Sequence, residues 1–215
     1  MMQKSALVLG ASGLVGSEVL KLCLASDNYN KVITPVRSPL IMNHKKLVEK
    51  IIDFEMPPWD ELFPVDHVYC CLGTTIKKAG SNSGFRKVDF DYPIAFADAA
   101  KKWNTSVFSI VTATGANSNS KIFYNKVKGE VEDKLKSIGF DSTLISRPSL
   151  LLGERNEFRL GEKMVMGVAK LTSWMTPTSV RAIPAKTVAR ATVSETLLER
   201  VGLNIMSNKE MHHIG

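Results

Sequence analysis

The 215-residue chain contains no unbroken apolar run of the roughly 18 residues that a membrane-spanning helix requires. Cysteine is scarce, with three in all, and an odd number cannot complete a disulfide framework. Cys70 and Cys71 are adjacent in an apolar run, where successive strand side chains point to opposite faces and are poorly placed to bridge. His212 and His213 lie far from these thiols in sequence, so no zinc spacing exists and no metal is expected. The cysteines read as small buried hydrophobes of a reducing compartment. The opening MMQKSALVLG passes from one Lys into a short apolar run and a glycine, too brief for a signal-peptide core. A cytoplasmic location is expected. Internal repeats and linkers are missing too.

What is present is globular. The composition is 44% hydrophobic and 23% charged, and the length suits one large domain better than two. Lys and Arg exceed Asp and Glu by 28 to 21, a net charge of +7. The basic residues come as scattered pairs (Lys45-Lys46, Lys77-Lys78, Lys101-Lys102) without an arginine-rich arm, a basic-aromatic motif or a recognition helix. No nucleic-acid partner is expected; a solvated surface, with some charge left for an anionic cofactor, accounts for the excess.

Apolar runs alternate with amphipathic stretches. Strands are predicted at Ser5–Leu9, Lys31–Val36, Leu47–Phe54, His67–Leu72, Ser106–Thr112 and Ser142–Ser146, and helices at Leu14–Ala25, Val88–Trp103 and Lys121–Ile138. Pro35 would end the second strand near Thr34 to Val36, and Lys77–Gly84 reads as a glycine-serine loop. Alternation of this kind implies an α/β fold, a Rossmann-type doubly wound parallel sheet in a single domain. Strings such as VYCCL and FSIV fit strands buried on both faces. Beyond Pro148 the expectation is a helix at Glu162–Trp174, extended chain at Ser179–Ile183, a helix at Pro184–Glu199 and a short strand at Leu203–Met206. Residues 149–215 would then form a small extension supplying most of the substrate side.

The first strand runs into Gly10-Ala-Ser-Gly13-Leu-Val-Gly16, followed by a helix pattern. One glycine permits the turn, a second lets backbone N–H groups approach a pyrophosphate, and a third allows close helix–strand packing. The helix N-terminus then offers unpaired N–H groups and its positive dipole to phosphates. Ser12, Leu14 and Val15 belong to the same loop and are expected at the cofactor. About twenty residues on, an acidic group would select NAD. Here Arg37-Ser38 stands instead, and a guanidinium beside a hydroxyl suits a 2′-phosphate. NADP(H) is therefore expected over NAD(H). Asp53 and Phe54, closing the third strand, would lie beside the adenine, although Asp53 suits the capping of the next loop almost as well.

Twelve residues beyond Thr112 comes Tyr124-Asn-Lys-Val-Lys128. On a helix, four residues place both side chains on one face. A phenol has a pKa near 10 and exchanges protons poorly at neutral pH. A neighbouring ammonium stabilises the phenolate and brings it toward working range. A hydroxyl at the strand end, Thr112 or Thr114, would hold a substrate oxygen.

Several strings resemble the Tat-interactive-protein family of atypical short-chain dehydrogenases. They are GASGLVG, CCLGTT at Cys70–Thr75, Lys78-Ala-Gly, Phe85-Arg-Lys-Val-Asp-Phe-Asp-Tyr92, Tyr124-Asn-Lys-Val-Lys-Gly-Glu-Val-Glu132, Arg147-Pro148 and the tail Met211-His-His-Ile-Gly215. The resemblance runs end to end. It implies a Rossmann fold, NADP(H) binding and a reductase activity of unsettled substrate. Gly10, Gly13 and Gly16 would form the dinucleotide loop, and Arg37 would meet the 2′-phosphate. Leu72, Gly73 and Thr74 would line the cofactor, Tyr124 and Lys128 would be the catalytic pair, and Pro148, Ser149 and Leu150 would flank the nicotinamide. The superfamily's serine is replaced by Thr112, with Thr114 as the alternative, and a second basic residue common in the family is Ser38 here.

Two functions of different class follow. One is reduction of a carbonyl, or oxidation of an alcohol, on a small molecule; the other is an NADPH-binding sensor or scaffold without turnover. Arg155 and Arg159 in GERNEFRLGE could clamp an anionic substrate, or could simply pair with the neighbouring glutamates. A homodimer is compatible with the sequence, which contains no argument for one.

Overall fold

The structure, a computed structural model, describes residues 3–153 and 177–215. Seven parallel strands form one sheet: β1 (Lys4–Leu9), β2 (Tyr29–Val36), β3 (Leu47–Ile51), β4 (His67–Cys70), β5 (Val107–Val111), β6 (Ser142–Arg147) and β9 (Gly202–Ser207). Their order is β3-β2-β1-β4-β5-β6-β9. The strand order switches from one side of β1 to the other between β3 and β4, and the crevice between β1 and β4 is where ligands bind in this architecture. Two shorter strands, β7 (Leu151–Leu152) and β8 (Ile183–Pro184), pair with each other at its rim.

Alternation along the strands builds two cores. In β1, Ala6 and Val8 face one side, while Leu7 and Leu9 face the other. The first side is covered by α1 (Leu14–Ala25), α7 (Ala185–Leu197) and α8 (Asn208–Ile214), through Val19, Cys23, Ala189 and Met211. The second is covered by α5 (Tyr92–Lys102) and α6 (Phe123–Ile138), through Phe96, Ala97, Val131 and Leu135, with Leu62 from the short α2 (Trp59–Leu62). Both faces are apolar because both carry helices.

The α1/α7 side also buries polar groups, and these are satisfied in series. The Tyr29 hydroxyl meets Tyr69 Oη at 2.6 Å and His67 Nδ1 at 2.7 Å, and His67 Nε2 meets Glu199 Oε1 at 3.0 Å. Further along, Ser109 pairs with Thr196 at 2.7 Å and Ser146 with Thr192 at 2.9 Å. Each bond removes the desolvation cost of an unpaired buried group.

The sequence places the strands and α1 well, but several expectations need correction. Lys77–Gly84 is not a loop: it contains α3 (Ile76–Ala79) and the start of α4 (Asn82–Arg86). Thr75 and Ser81 each accept an N–H of the following turn, and Gly80, at φ +78°, ends α3. Caps thus override a loop-like composition. The third strand stops at Ile51, opposite Val36, and Asp53 Oδ1 accepts the Glu55 N–H at 2.9 Å in a turn. Ser179 lies in a turn in which the Pro177 carbonyl accepts from Val180 and Arg181, not in an extended segment. The helix expected from Val88 continues a path begun at Asn82, with a π-helical turn at Lys87–Asp91 before α5. Pro93 explains that turn, since at α-helical spacing its ring would crowd the Asp89 carbonyl and donate nothing to it. The expected helix at Glu162–Trp174, and Arg155 and Arg159, lie outside the described residues.

Candidate functional site

The β1–α1 turn is built by contacts that exclude side chains. Gly10 has φ +76°, and a Cβ there would fall 2.5 Å from the Cys71 carbonyl oxygen. A Cβ on Gly16 would fall 2.1 Å from the Gly10 carbonyl oxygen. The Gly13 N–H closes the turn on that same carbonyl at 2.8 Å. Gly13 also begins α1 with no side-chain cap, so the helix end keeps its N–H groups for a ligand. Val15 and Gly16 are buried in the packing behind.

Above this turn lies a cleft of about 1290 Å³. Of the sequence-expected cofactor residues, Gly10, Ser12, Gly13, Leu14, Arg37, Phe54, Leu72, Gly73 and Thr74 line it. Ser38, Asp53, Pro148 and Leu150 are not among its lining residues. Arg37 projects from the end of β2, while Phe54 and Tyr92 stand with ring centroids 5.5 Å apart on the same wall. Tyr92 donates to Glu55, which Lys87 contacts at 2.6 Å. Burial first, and that carboxylate second, push the Tyr92 phenol up to about 12.

The catalytic candidates stand deeper. Lys128 is buried on α6, its ammonium 2.7 Å from Asp89 Oδ1. A Cβ on Gly73 would lie 3.9 Å from that nitrogen, so the ammonium sits directly behind the cleft wall. Burial alone would push it down, but Asp89 and then Tyr124 outweigh burial and hold it above its ordinary value. Tyr124, one helical turn away, packs against Phe85 with ring centroids 5.5 Å apart. Thr112 is 5% exposed, and its hydroxyl donates to Glu132 at 2.6 Å. Glu132 also accepts from Arg147 Nε at 3.1 Å and from Arg147 Nη2. Thr114 is exposed and donates to the Arg147 carbonyl at 3.0 Å. Tyr124, Lys128 and Thr112 are not among the residues that line the cleft; the structure sets the Lys128 ammonium behind Gly73 of its wall and ties Thr112 to the buried Glu132.

No family model matches the chain. Protein HTATIP2 of Rattus norvegicus is 35% identical over 225 aligned residues, covering 100% of this chain and 90% of that protein. The chain belongs to the HTATIP2 family. Protein FMP52, mitochondrial, of Eremothecium gossypii is 42% identical over 159 residues, 73% of this chain and 70% of its own. Among solved structures, a UDP-N-acetylglucosamine 4-epimerase from Methanobrevibacter ruminantium superposes with TM-score 0.71 at 18% identity, over 96% of this chain and 77% of its own. Bordetella bronchiseptica WbmH, solved with NAD+, gives TM-score 0.71 at 18% identity, over 97% of this chain and 79% of its own. These likenesses show a Rossmann-type fold.

Within this member of the HTATIP2 family, several site residues escaped sequence reasoning. Lys78, Tyr92 and Lys186 line the cleft; the first two lie in strings that carry the resemblance, without a role expected for them, and Lys186 lies in none. Asn208 is buried and ties two loops together. Its Oδ1 accepts the Ser149 N–H at 2.9 Å, and its Nδ2 donates to the Thr178 and Arg181 carbonyls at 2.7 and 2.9 Å. Nothing local in the sequence marks such a residue, because its partners are distant. Asp89 is the most consequential omission, a carboxylate 39 residues before the lysine it pairs with.

Proposed function

We propose that the chain is an NADP(H)-dependent oxidoreductase that reduces a carbonyl, or oxidises the corresponding alcohol, on a small molecule. The observation that carries this reading is the Lys128 ammonium, buried behind Gly73 of the cleft wall with Tyr124 one helical turn away. The residues fit a dinucleotide: the glycine turn leaves room where a Cβ would collide, and the uncapped α1 terminus suits a pyrophosphate. Leu72, Gly73 and Thr74 would border it beyond β4. Arg37, which lines the cleft and has no ion pair among the described residues, supports a 2′-phosphate over a free ribose hydroxyl.

A bound nicotinamide would give or take the hydride. The chain's own part is proton management. Tyr124 would donate its phenolic proton to the substrate oxygen in reduction and recover it in oxidation. Lys128 would keep its positive charge one helical turn from that phenol. With Thr112 committed to Glu132, the exposed Thr114, which donates to the Arg147 carbonyl, would be the hydroxyl that orients a substrate.

A second reading, a dinucleotide-binding sensor without turnover, draws support from Thr112, whose hydroxyl faces Glu132 and not the cleft. One experiment separates the two. A screen of carbonyl compounds for NADPH consumption is run with the parent and Tyr124→Phe. Turnover by the parent, lost in the variant while NADPH binding survives, supports the enzyme; equal turnover in both removes Tyr124 as proton donor.

A further inference from the structure

Lys128 does not stand alone behind the cleft wall. Asp89 Oδ1 lies 2.7 Å from its ammonium, with the two side chains 1% and 5% exposed. The other carboxylate oxygen, Oδ2, accepts the Thr74 N–H at 2.9 Å. One carboxylate therefore joins the ammonium to the loop that borders the cleft after β4. Gly73 sits over both: a Cβ there would be 3.5 Å from Asp89 Oδ1 and 3.9 Å from Lys128 Nζ. Among the described residues, beyond the neighbours of Gly73 in the chain, these are the two atoms within 4 Å of that position.

The placement of Asp89 is specific. It sits in the π-helical turn Lys87–Asp91, a type of irregularity that is often found at functional sites. Taking one partner from such a pair leaves an uncompensated buried charge, a far larger penalty than losing a surface pair. The groups whose charge acts on the ammonium are Asp89 from the π-turn, Tyr124 from its own helix and the Cys70 thiol from β4. Asp89 is the only carboxylate among these three. A free surface lysine would not need it; a lysine kept charged inside the fold does.

We propose that Asp89 is a positioning residue of this site, holding Lys128 charged and anchoring its ammonium to the Gly73–Thr74 loop as the fixed cation for a dinucleotide's nicotinamide-side ribose. The ligand in this statement rests on the nicotinamide reading above. The ion pair itself does not.

Asp89→Asn keeps the size of the side chain and an acceptor for Thr74, and removes the charge. NADPH affinity is measured by fluorescence titration from pH 7 to pH 9, and thermal unfolding of the cofactor-free protein over the same range. The parent is expected to bind NADPH with little change across that range. In the variant, burial without a counter-charge lowers the Lys128 pKa, so affinity falls about tenfold as pH rises and the ammonium is lost. The unfolding temperatures give a readout without cofactor. A lysine whose folded pKa is depressed is penalised most at low pH, so the deficit of the variant narrows toward pH 9. Should Asp89→Asn fail to fold, the double variant Asp89→Asn/Lys128→Gln buries neither charge; it is expected to bind NADPH about tenfold more weakly than the parent at every pH. A pH profile parallel to the parent with a constant unfolding deficit overturns the proposal, as does parental affinity in the double variant. If the parent binds neither NADPH nor NADH, the nicotinamide reading falls and takes the ligand assignment with it. Binding by the parent with an unchanged variant overturns the role of Asp89 alone.

Discussion

Thr112 donates its hydroxyl proton to Glu132 at 2.6 Å, beneath the cleft and not into it. Glu132 is 1% exposed and also takes both nitrogens of an Arg147 fork. The threonine therefore completes the solvation of a buried carboxylate. Thr112→Val should cost about 1–3 kcal/mol in a urea unfolding titration, the cost of leaving a charged acceptor one donor short. NADPH affinity should stay within about twofold, since no cleft contact is lost. A variant of full stability and impaired cofactor binding would reverse this assignment. Thr114→Ala, by contrast, should leave stability nearly unchanged and lower any turnover found.

In the proposed NADP(H) reading, Arg37 is the residue that would set the cofactor preference. It lines the cleft at the end of β2, and its side chain offers paired donors to a phosphate. The parent should bind NADPH more tightly than NADH, and Arg37→Ala should erase most of that preference, a loss of about 1.5–3 kcal/mol for a charged hydrogen-bonded contact. Titration of both reduced cofactors measures the ratio. An unchanged ratio in the variant would remove Arg37 from the selectivity argument.

Gly16→Ala tests the packing of the phosphate turn. A Cβ at this position meets the Gly10 carbonyl oxygen at 2.1 Å, and backbone cannot swing aside as a flexible side chain can. The expected result is overpacking strain of about 1–3 kcal/mol, with NADPH binding weakened because the displaced turn is the one that carries Gly13. Gly139→Ala is a useful contrast. No atom lies within 4 Å of its Cβ position, yet its φ is +69°; its cost comes from backbone conformation alone and should spare the cofactor.

These outcomes mark where the sequence was legible. The first helix matches its expected span, Leu14–Ala25, because apolar spacing, a glycine turn and the absence of proline all agree there. The strands match within a few residues because helices cover both faces of the sheet, leaving apolar runs with few competing explanations. The cleft positions of Gly10, Gly13 and Arg37 could be read for the same reason: each depends on local backbone or on its place at a strand end. Asp89, Glu132 and Asn208 could not. Each is a polar residue whose burial depends on a partner far along the chain: Lys128, Arg147 with Thr112, and Ser149 with Arg181. Periodicity carries no trace of such pairings, and composition makes them look like surface.

The opposite end of the sheet yields a prediction about acid stability. His67 is fully buried, bonded to Tyr29 on one ring nitrogen and to Glu199 on the other. Burial lowers its pKa below the ordinary 6.5, and Glu199, which favours the charged ring, offsets only part of that; Lys4 adds to the lowering and Asp66 opposes it. A histidine with a depressed folded pKa binds protons more readily when unfolded. Its contribution is therefore intact above about pH 6.5 and is lost as pH falls through the lowered value. Glu199 acts in a separate window. Burial would raise its carboxyl, but bonds from Lys4 and His67 hold it below 4.5, so its stabilising share survives until the solution is more acidic still. Unfolding free energy measured in urea from pH 8 to pH 4 should thus begin to fall below about pH 6.5 in the parent. His67→Gln has no imidazole to titrate, and although less stable at pH 8 it should lose the part of the decline that starts below pH 6.5. A variant whose curve runs parallel to the parent throughout would show that the acid sensitivity lies elsewhere than at His67.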